Sequence, residues 1–268
     1  MTQAFDVIII GATPQGLALA EKLSAAGLSI NLLSSNFIYK TPKYKMDTVI
    51  CTQGTAVFLS YSCGLLGVNY TTETSNSAIF GYNIVLATGD KPIKATLRNS
   101  NILYKAVDAP ERQKAASAVV YGNNDAAANY VLDLAKRYGY VYHCTKEFPL
   151  LCSPKLIKKL NETPNVVHLP SCNILSCRND KDGKLTSIML DTYATINTST
   201  LIYATGRTPD VPTFTKRYIF TDPDGYAVVS SNSESLLIPG VYAIGGLCKT
   251  FTNKELKRVA EHIINKKK

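Results

Sequence analysis

Several residue types and patterns are scarce or missing in this chain, and each absence argues against a class of protein or site. The 268 residues include no tryptophan and only three histidines, which are not spaced as metal ligands, so we predict no metal site. No apolar run approaches the roughly 20 residues that are needed to span a bilayer. The seven cysteines are odd in number and scattered, which indicates reduced thiols rather than a disulfide framework.

The first apolar run, FDVIII at residues 5–10, has no basic segment before it. This arrangement is typical of a buried first strand and not of a signal peptide, so we expect a cytoplasmic protein. The net charge of +9 is mostly spread singly, with local concentrations at 155–159 and 266–268. Because no basic motif is interleaved with aromatic residues, we interpret this charge as a solvated surface and a basic tail, and we expect neither nucleic acid nor a membrane as partner.

The beginning of the chain has the pattern strand, glycine turn, helix, strand. The apolar run at 5–10 ends in a turn at Gly11, and an apolar-periodic stretch closed by Gly27 follows. A second apolar run then occupies residues 28–33. This is the pattern of a βαβ unit, which requires a parallel sheet.

The same pattern recurs in the middle of the chain. A strand at 118–121 is followed by a turn, a helix at 126–138 capped by Gly139, and a strand at 140–144. Two such copies predict an α/β protein with two Rossmann-like, doubly wound, three-layer domains, the second inserted in the first.

The domain limits and the remaining elements follow from the same reading. We place the first, shortened domain at 1–106 plus 213–268 and the second at 107–212. Other expected elements are a helix at 55–66, a strand at 83–87, a helix at 154–160, strands near 166–169, 174–178, 186–190 and 200–204, a hairpin turn at 182–183, and a last helix at 253–265.

Five short stretches occur in an order that points to one family: IIIGATPQG (8–16), VLATGDKP (85–92), VVYGNNDAA (119–127), YATGRTPD (203–210) and GVYAIGG (240–246). This set resembles the low-molecular-weight thioredoxin reductases and the thioredoxin-reductase-like ferredoxin–NADP reductases, within the pyridine nucleotide-disulfide oxidoreductase superfamily. The resemblance extends over nearly the whole chain. It implies FAD in the first domain, NAD(P)H in the second, and a homodimer.

The redox dithiol of the thioredoxin reductases is missing, since no Cys-x-x-Cys occurs anywhere in the chain. In its place Asp108, Pro110 and Glu111 match the acidic-Pro-acidic segment of the ferredoxin–NADP reductase branch. Dithiol exchange by the family's route is therefore excluded, and the resemblance implies a protein electron partner such as a ferredoxin. Two interpretations of the other cysteines are open: a redox pair brought together by the fold, or buried structural thiols. We favour buried thiols for Cys144, Cys172, Cys177 and Cys248.

The FAD fingerprint of the family has three glycines, which make the tight turn, admit the pyrophosphate and let the helix pack on the strand. Here they read Gly11, Thr13 and Gly16, with Pro14 inside the motif. Thr13 puts a β-branched side chain where the diphosphate would nearly touch main chain, although its hydroxyl offers a hydrogen bond. The next strand leads to Ser35 and Asn36 instead of the family's ribose-binding carboxylate, which leaves one of these two as a weaker ribose contact.

Two further FAD motifs lie later in the sequence. The turn at Thr88 and Gly89, which in the family lets the backbone cross beside the dinucleotide, is intact. The family's Gly-Asp, whose carboxylate binds the ribityl chain, reads Gly245-Gly246. The FAD domain is also expected to be shortened, because a glycine pair is missing between residues 36 and 54 and little room is left for a hairpin between 68 and 83.

The pyridine-nucleotide fingerprint departs further from the family. Its two phosphate-facing glycines read Tyr121 and Asn123, on either side of Gly122, and Asn124 follows. A tyrosine at the tight turn and Asp125 near the helix start would both oppose a pyrophosphate.

The family's His-Arg-Arg segment, which grips the adenosine 2′-phosphate, has lost both arginines here. His143 remains, and we interpret it as a surface histidine at a strand end, while Lys146 is only a point-charge substitute. Gly206 and Arg207, in the fourth motif, are also candidate nucleotide contacts. The sequence does not support a preference for NADP, and it argues against NAD binding.

Two hypotheses remain open from the sequence. In the first, the chain is a divergent flavoprotein oxidoreductase that holds FAD through the glycine turns, with the flavin supplying the chemistry. In the second, it is a non-catalytic relative whose scaffold serves binding or assembly, since a fold does not guarantee an activity. Cofactor-binding groups of the family are missing at four separate positions, which indicates that this chain depends less on FAD and NAD(P)H than the family does.

Overall fold

The computed structural model describes residues 4–36, 47–62, 64–97, 101–111 and 113–267. Cys63, Lys268 and much of the segment in which the glycine pair is missing lie outside these ranges. The helices are α1 (Pro14–Ala25), α2 (Asp125–Ala135), α3 (Pro154–Asn161) and α4 (Asn253–Lys267). The strands are β1 (Phe5–Ile10), β2 (Ile30–Ser34), β3 (Val49–Gln53), β4 (Thr55–Ser62), β5 (Leu65–Thr71), β6 (Asn76–Leu86), β7 (Asp90–Pro92), β8 (Ile102–Leu103), β9 (Gln113–Tyr121), β10 (Tyr138–Cys144), β11 (Val166–Leu169), β12 (Ile174–Asn179), β13 (Leu185–Leu190), β14 (Thr195–Asn197), β15 (Thr200–Tyr203), β16 (Arg207–Pro209), β17 (Phe220–Thr221), β18 (Ala227–Val228) and β19 (Val241–Ala243).

The chain divides into two compact units, of which the first combines residues 1–91 with 208–268 and the second is 92–207. The limits expected from the sequence lie later, at 106/107 and 212/213. The difference at the first limit comes from β8, which pairs with β15 in the sheet of the second unit. A strand of two residues has no periodicity, so sequence patterns give no sign of it.

The first unit is built on a sheet with the strand order β3-β2-β1-β6-β5-β4, to which β19 adds beside the carboxyl half of β6. β1 runs parallel to both β2 and β6. Its residues from Val7 to Ile10 are buried, and α1 and α4 pack on one face of the sheet through Leu23 and Val259. A strand that is covered on both faces is apolar throughout, which explains the run in the sequence. The carboxyl ends of β1, β6 and β19 meet at one edge, beside the start of α1.

The helix expected at 55–66 is wrong, because Thr55–Ser62 is the strand β4, paired antiparallel with β5. This stretch is rich in β-branched and aromatic residues, and its fully buried Leu59 follows an exposed Phe58, as on the two faces of a strand. β5 and β6 form an antiparallel hairpin across residues 72–75. The chain therefore has room for the hairpin, contrary to the expectation.

The second unit has a parallel sheet of order β11-β10-β9-β15-β8 and a separate antiparallel sheet of β12, β13 and β14. α2 and α3 pack in one cluster with β9 and β10 through Val131, Leu160 and Val141. The expected helix at 126–138 is too long. It ends at Ala135, and Gly139 is not its cap but part of β10, where a Cβ would lie 2.4 Å from the Lys114 carbonyl oxygen.

The expected hairpin turn at 182–183 and the last helix are confirmed, since β12 and β13 pair across that turn and α4 covers the predicted residues. Within the described ranges, no helix has the length and apolar character that a membrane span requires.

Candidate functional site

The first candidate site lies where β1 leads into α1. Gly11 has a φ of 107°, and a Cβ there would lie 2.4 Å from the carbonyl oxygen of Ala87, so only glycine allows this turn. Thr13 is the N-cap of α1, and its Oγ1 accepts a hydrogen bond from the Gly16 N–H at 3.3 Å. Pro14 occupies the first turn of the helix, which contains no acidic residue. The positive end of the α1 dipole is therefore not opposed by a carboxylate of its own first turn.

Two later segments meet this turn. A Cβ at Gly89 would lie 3.0 Å from Cγ2 of Thr13, and one at Gly245 would lie 3.4 Å from Cβ of Gln15. The hydroxyl of Thr88 donates to the carbonyl oxygen of Asp210 at 2.7 Å, so it holds the loop in place. The structure thus brings the candidate residues of three sequence motifs together at the carboxyl edge of the sheet.

A carboxylate lies beside Gly246, although residue 246 itself carries none. A Cβ at this position would lie 3.0 Å from the backbone nitrogen of Asp90 and 3.1 Å from its Cγ. The side chain of Asp90 therefore occupies the space that a side chain at 246 would need. Alignment with the family's Gly-Asp points only to residue 246, although the sequence has an acid, Asp90, directly after the Thr88-Gly89 turn.

An open cavity of 570 Å³ lies at the carboxyl ends of β2 and β3 and includes Ser35. Its walls are polar, and Glu73 places an exposed carboxylate there. The other residues of the wall are Gln53, Gly54, Thr55, Thr71, Thr72 and Thr74. Hydroxyl, amide and carboxylate groups of this kind suit a sugar with several hydroxyl groups.

The second candidate site has the same local geometry between β9 and α2. A Cβ at Gly122 would lie 2.3 Å from the carbonyl oxygen of Ala204. Asn124 is the N-cap of α2, and its Oδ1 accepts from the Ala127 N–H at 3.0 Å. Gly122 and Asn124 therefore occupy the tight-turn and N-cap positions. The alignment that placed the tight turn at Tyr121 is one residue too early.

Tyr121 is the last residue of β9 and does not lie in the tight turn, so the expectation that it would oppose a pyrophosphate there is wrong. It is 6% exposed, its ring lies 5.0 Å from the Tyr203 ring, and its hydroxyl donates to Oδ1 of Asn173 at 2.9 Å. Burial raises the pKa of Tyr121 to about 12. This tyrosine is a core residue of the second unit.

The side chain of Asn123 is used by the segment that follows β10. Its Nδ2 donates to the carbonyl oxygens of Glu147 and Pro149 at 3.2 and 3.3 Å, and its Oδ1 accepts from the Leu151 N–H at 3.0 Å. Three hydrogen bonds thus hold residues 147–151 against the turn that a nucleotide diphosphate would approach.

Asp125 adds a negative charge to the first turn of α2, where its Oδ1 accepts from the Ser153 N–H at 2.7 Å. Lys146 is exposed in the turn after β10. Gly206 and Arg207 lie beyond the end of β15, where Arg207 is exposed and begins β16. The residues present do not fit a pyridine dinucleotide at this turn, because a phosphate would meet the Asp125 carboxylate and the segment held by Asn123.

Replacement of Asn123 by alanine is expected to destabilise the second unit by about 1–2 kcal/mol, since it removes three partly exposed hydrogen bonds. Hydrogen exchange of the Leu151 amide, which loses its acceptor, should become faster. Asn129→Ala is the matched control, because the Asn129 side chain donates one exposed hydrogen bond to the carbonyl oxygen of Asp125 within α2. Equal effects of both variants on Leu151 would show that Asn123 does not hold this segment.

His143 is buried, with 1% of its surface exposed, so the expectation of a surface histidine is wrong. Its Nε2 lies 2.9 Å from the carbonyl oxygen of Gly122, and since a carbonyl only accepts, Nε2 carries the proton. The pKa of His143 is lowered to about 4, mainly by burial and to a smaller extent by the neighbouring His168, while the bond to Gly122 acts in the opposite direction. The imidazole is therefore neutral at pH 7, with a lone pair on Nδ1.

The fold brings two of the four candidate cysteines together. Cys144 and Cys172 are 0% and 2% exposed and share one core cluster. A hydrogen bond from Cys144 lowers the pKa of Cys172, and the same pairing raises the pKa of Cys144. Cys177 and Cys248 are half-buried free thiols, and burial raises the pKa of both.

Comparison with known proteins adds a family and a fold. The sequence profile of the family described as pyridine nucleotide-disulphide oxidoreductase matches residues 43–265. Among curated proteins, no sequence matches this chain significantly.

Several solved structures have the same fold over nearly the full length of both chains. Thioredoxin reductase from Lactococcus lactis is 18% identical, with a TM-score of 0.81 over 97% of this chain and 98% of that one. Thioredoxin reductase from T. acidophilum is 15% identical, with a TM-score of 0.84 over 98% and 99%. Bacillithiol disulfide reductase from Bacillus cereus is 15% identical, with a TM-score of 0.76 over 98% and 100%. At this identity the likeness establishes the fold, and it confirms the two Rossmann-like domains.

Proposed function

The chain belongs to the pyridine nucleotide-disulphide oxidoreductase family, and we propose that it is a flavoprotein that binds FAD on its first unit and accepts no electrons from NAD(P)H on its second. The contrast between the two glycine turns carries this proposal. At α1 the first turn has no acidic residue, whereas at α2 it contains Asp125, which accepts from the Ser153 N–H. The turn before α2 is also bonded to residues 147–151 through Asn123.

The residues of the first unit fit FAD. The start of α1, between Gly11 and Gly89, would receive the diphosphate, because helix N-termini favour anions. Asp90 would accept hydrogen bonds from the ribityl hydroxyls, and the cavity lined by Ser35 and Glu73 would hold the adenosine ribose. Bound flavin supplies transfer of one or two electrons, while these side chains only bind and orient it.

A protein electron partner follows from a second unit that does not bind pyridine nucleotide. The acidic-Pro-acidic segment supports a partner such as a ferredoxin, as in the branch that it resembles. Residues 106–108 form a short 3₁₀ helix in which Val107 is 80% exposed and Asp108 is also exposed. The resemblance further favours a homodimer.

The purified protein should show the visible absorption of oxidised flavin, or its apo form should gain that spectrum and thermal stability on titration with FAD. NADH and NADPH should neither bleach the flavin nor raise the melting temperature, whereas reduced ferredoxin should bleach it. Rapid bleaching by NADPH would contradict the assignment of the second unit.

A non-catalytic binding scaffold is the second candidate. It is favoured by the methyl group of Thr13, which lies against Gly89. Thr13 stands where the family's fingerprint has the glycine that admits the pyrophosphate. A colourless protein whose stability FAD does not change would establish this candidate and exclude the flavoprotein.

A further inference from the structure

A cavity of 290 Å³ lies in the second unit, between the ends of β10 and β11 and the helix α3. Its walls are mostly apolar and come from residues 148–150, Ile157 and Pro170. The polar part of the wall consists of His143, Thr145, Asn161 and His168, all uncharged when the two imidazoles are neutral. A volume of this size is near the lower end for small-molecule pockets, so it suits a compound of one or two fused rings.

Three polar atoms in this wall are buried and have no hydrogen-bond partner among the described residues: Nδ1 of His143, Oγ1 of Thr145 and Nε2 of His168. His143 and Thr145 are each 1% exposed, and the two imidazole rings lie 5.3 Å apart. Because buried polar atoms in folded proteins are almost always paired, three unpaired ones around one cavity indicate a missing partner inside it.

The hydrogen-bonding roles of these atoms define that partner. Nδ1 of His143 is an acceptor, since Nε2 donates to Gly122. The Thr145 hydroxyl is able to donate, and no residue of the wall carries a charge at neutral pH when His143 and His168 are neutral. The complement is an uncharged ring with an N–H that faces His143 and an acceptor that faces Thr145.

We propose that this cavity binds a small neutral heteroaromatic molecule that carries a ring N–H donor and a ring acceptor. The site is independent of FAD on the first unit, so it goes beyond the proposed function. It differs from a dinucleotide site because its wall has no cation for a phosphate and because Asn123 holds residues 147–151 against the adjoining turn.

The test is calorimetry on the full chain at pH 8 with three matched probes. Benzimidazole has both groups, 1-methylbenzimidazole lacks the N–H donor, and indole lacks the acceptor. Benzimidazole should bind one to one, about tenfold more tightly than either comparator, because each comparator leaves one buried polar atom unpaired. The ¹⁵N shift of His143 Nδ1 should move when benzimidazole binds.

Thr145→Val removes the hydroxyl at nearly constant shape, so it should weaken benzimidazole about tenfold and leave indole unchanged. The apo melting temperature should stay equal or rise, because an unpaired buried polar atom is removed. Thr163→Val is the control, because the Thr163 hydroxyl donates to the carbonyl oxygen of Lys159 outside the cavity. It should change the affinity neither for benzimidazole nor for indole.

Absence of saturable binding by all three probes would show a cavity that holds only water and would overturn the proposal. Equal affinities for benzimidazole and 1-methylbenzimidazole would also overturn it, since the His143 acceptor would then play no part. Displacement of benzimidazole by NADPH at equal concentration would place the cavity within a nucleotide site and exclude a neutral ligand. None of these outcomes depends on whether flavin is bound.

Discussion

Asp90→Gly is expected to weaken FAD binding by about tenfold to a hundredfold, since a hydrogen bond to a charged acceptor contributes about 1.5–3 kcal/mol. The reason is the position of the Asp90 carboxylate beside Gly246, where its Cγ lies 3.1 Å from the place of a Cβ. If this carboxylate binds the ribityl hydroxyls, its removal leaves them without an acceptor. Titration of the apo protein with FAD, followed by flavin fluorescence, measures the change.

The double variant Asp90→Gly with Gly246→Asp should recover most of the lost affinity, because it returns the carboxylate from residue 246. Gly246→Asp alone should bind FAD poorly, since its Cβ would meet the Asp90 side chain as well as the backbone nitrogen at 3.0 Å. In the double variant only the backbone contact remains.

Glu21→Gln is the control for charge, because Glu21 is exposed on α1 and its loss changes the net charge equally. It should leave FAD affinity unchanged. A double variant that binds no better than Asp90→Gly, while it folds normally, would show that the carboxylate at this place does not bind the ribityl chain.

The parts of the fold that could be predicted from the sequence are those in which local pattern and tertiary role agree. Residues 7–10 of β1 are apolar throughout because both faces are covered, and the glycine turn at Gly11 marks the start of α1. The strand, glycine turn, helix and strand at 118–144 are predictable for the same reason. The strand β4 is not predictable in this way, because a short apolar run with aromatic residues is compatible with helix or strand until its partner is known.

The candidate sites were only partly predictable, because their decisive contacts join residues that are distant in sequence. The carboxylate of Asp90 lies beside Gly246 although the two residues are far apart in sequence, which no comparison at aligned positions reveals. The bonds of Asn123 to residues 147–151 depend on how the chain folds back after β10. His143 is buried near the end of β10, and residue type alone does not determine the burial of a histidine.

Acidification is expected to destabilise the second unit by roughly 3 kcal/mol between pH 6.5 and pH 4 through His143 alone. Burial lowers the pKa of this imidazole from its ordinary 6.5 to about 4, so in this window the unfolded chain binds a proton that the folded chain excludes. The stability that depends on a neutral His143 is fully present above pH 6.5 and is lost as the pH falls from 6.5 towards 4. Burial lowers the pKa of His168 as well, which acts in the same direction.

Urea unfolding of the wild type and of His143→Gln at pH 7.5, 5.5 and 4.5 isolates this contribution, because glutamine retains a donor for the Gly122 carbonyl and does not titrate. The difference in unfolding free energy between the two proteins should shrink as the pH falls, while carboxylate titration affects both equally. If the variant does not fold, the wild-type imidazole is followed by NMR and should stay neutral down to about pH 5. An imidazole that titrates near pH 6.5 in the folded protein would mean that His143 is solvated, and the orphaned Nδ1 would then have water as its partner.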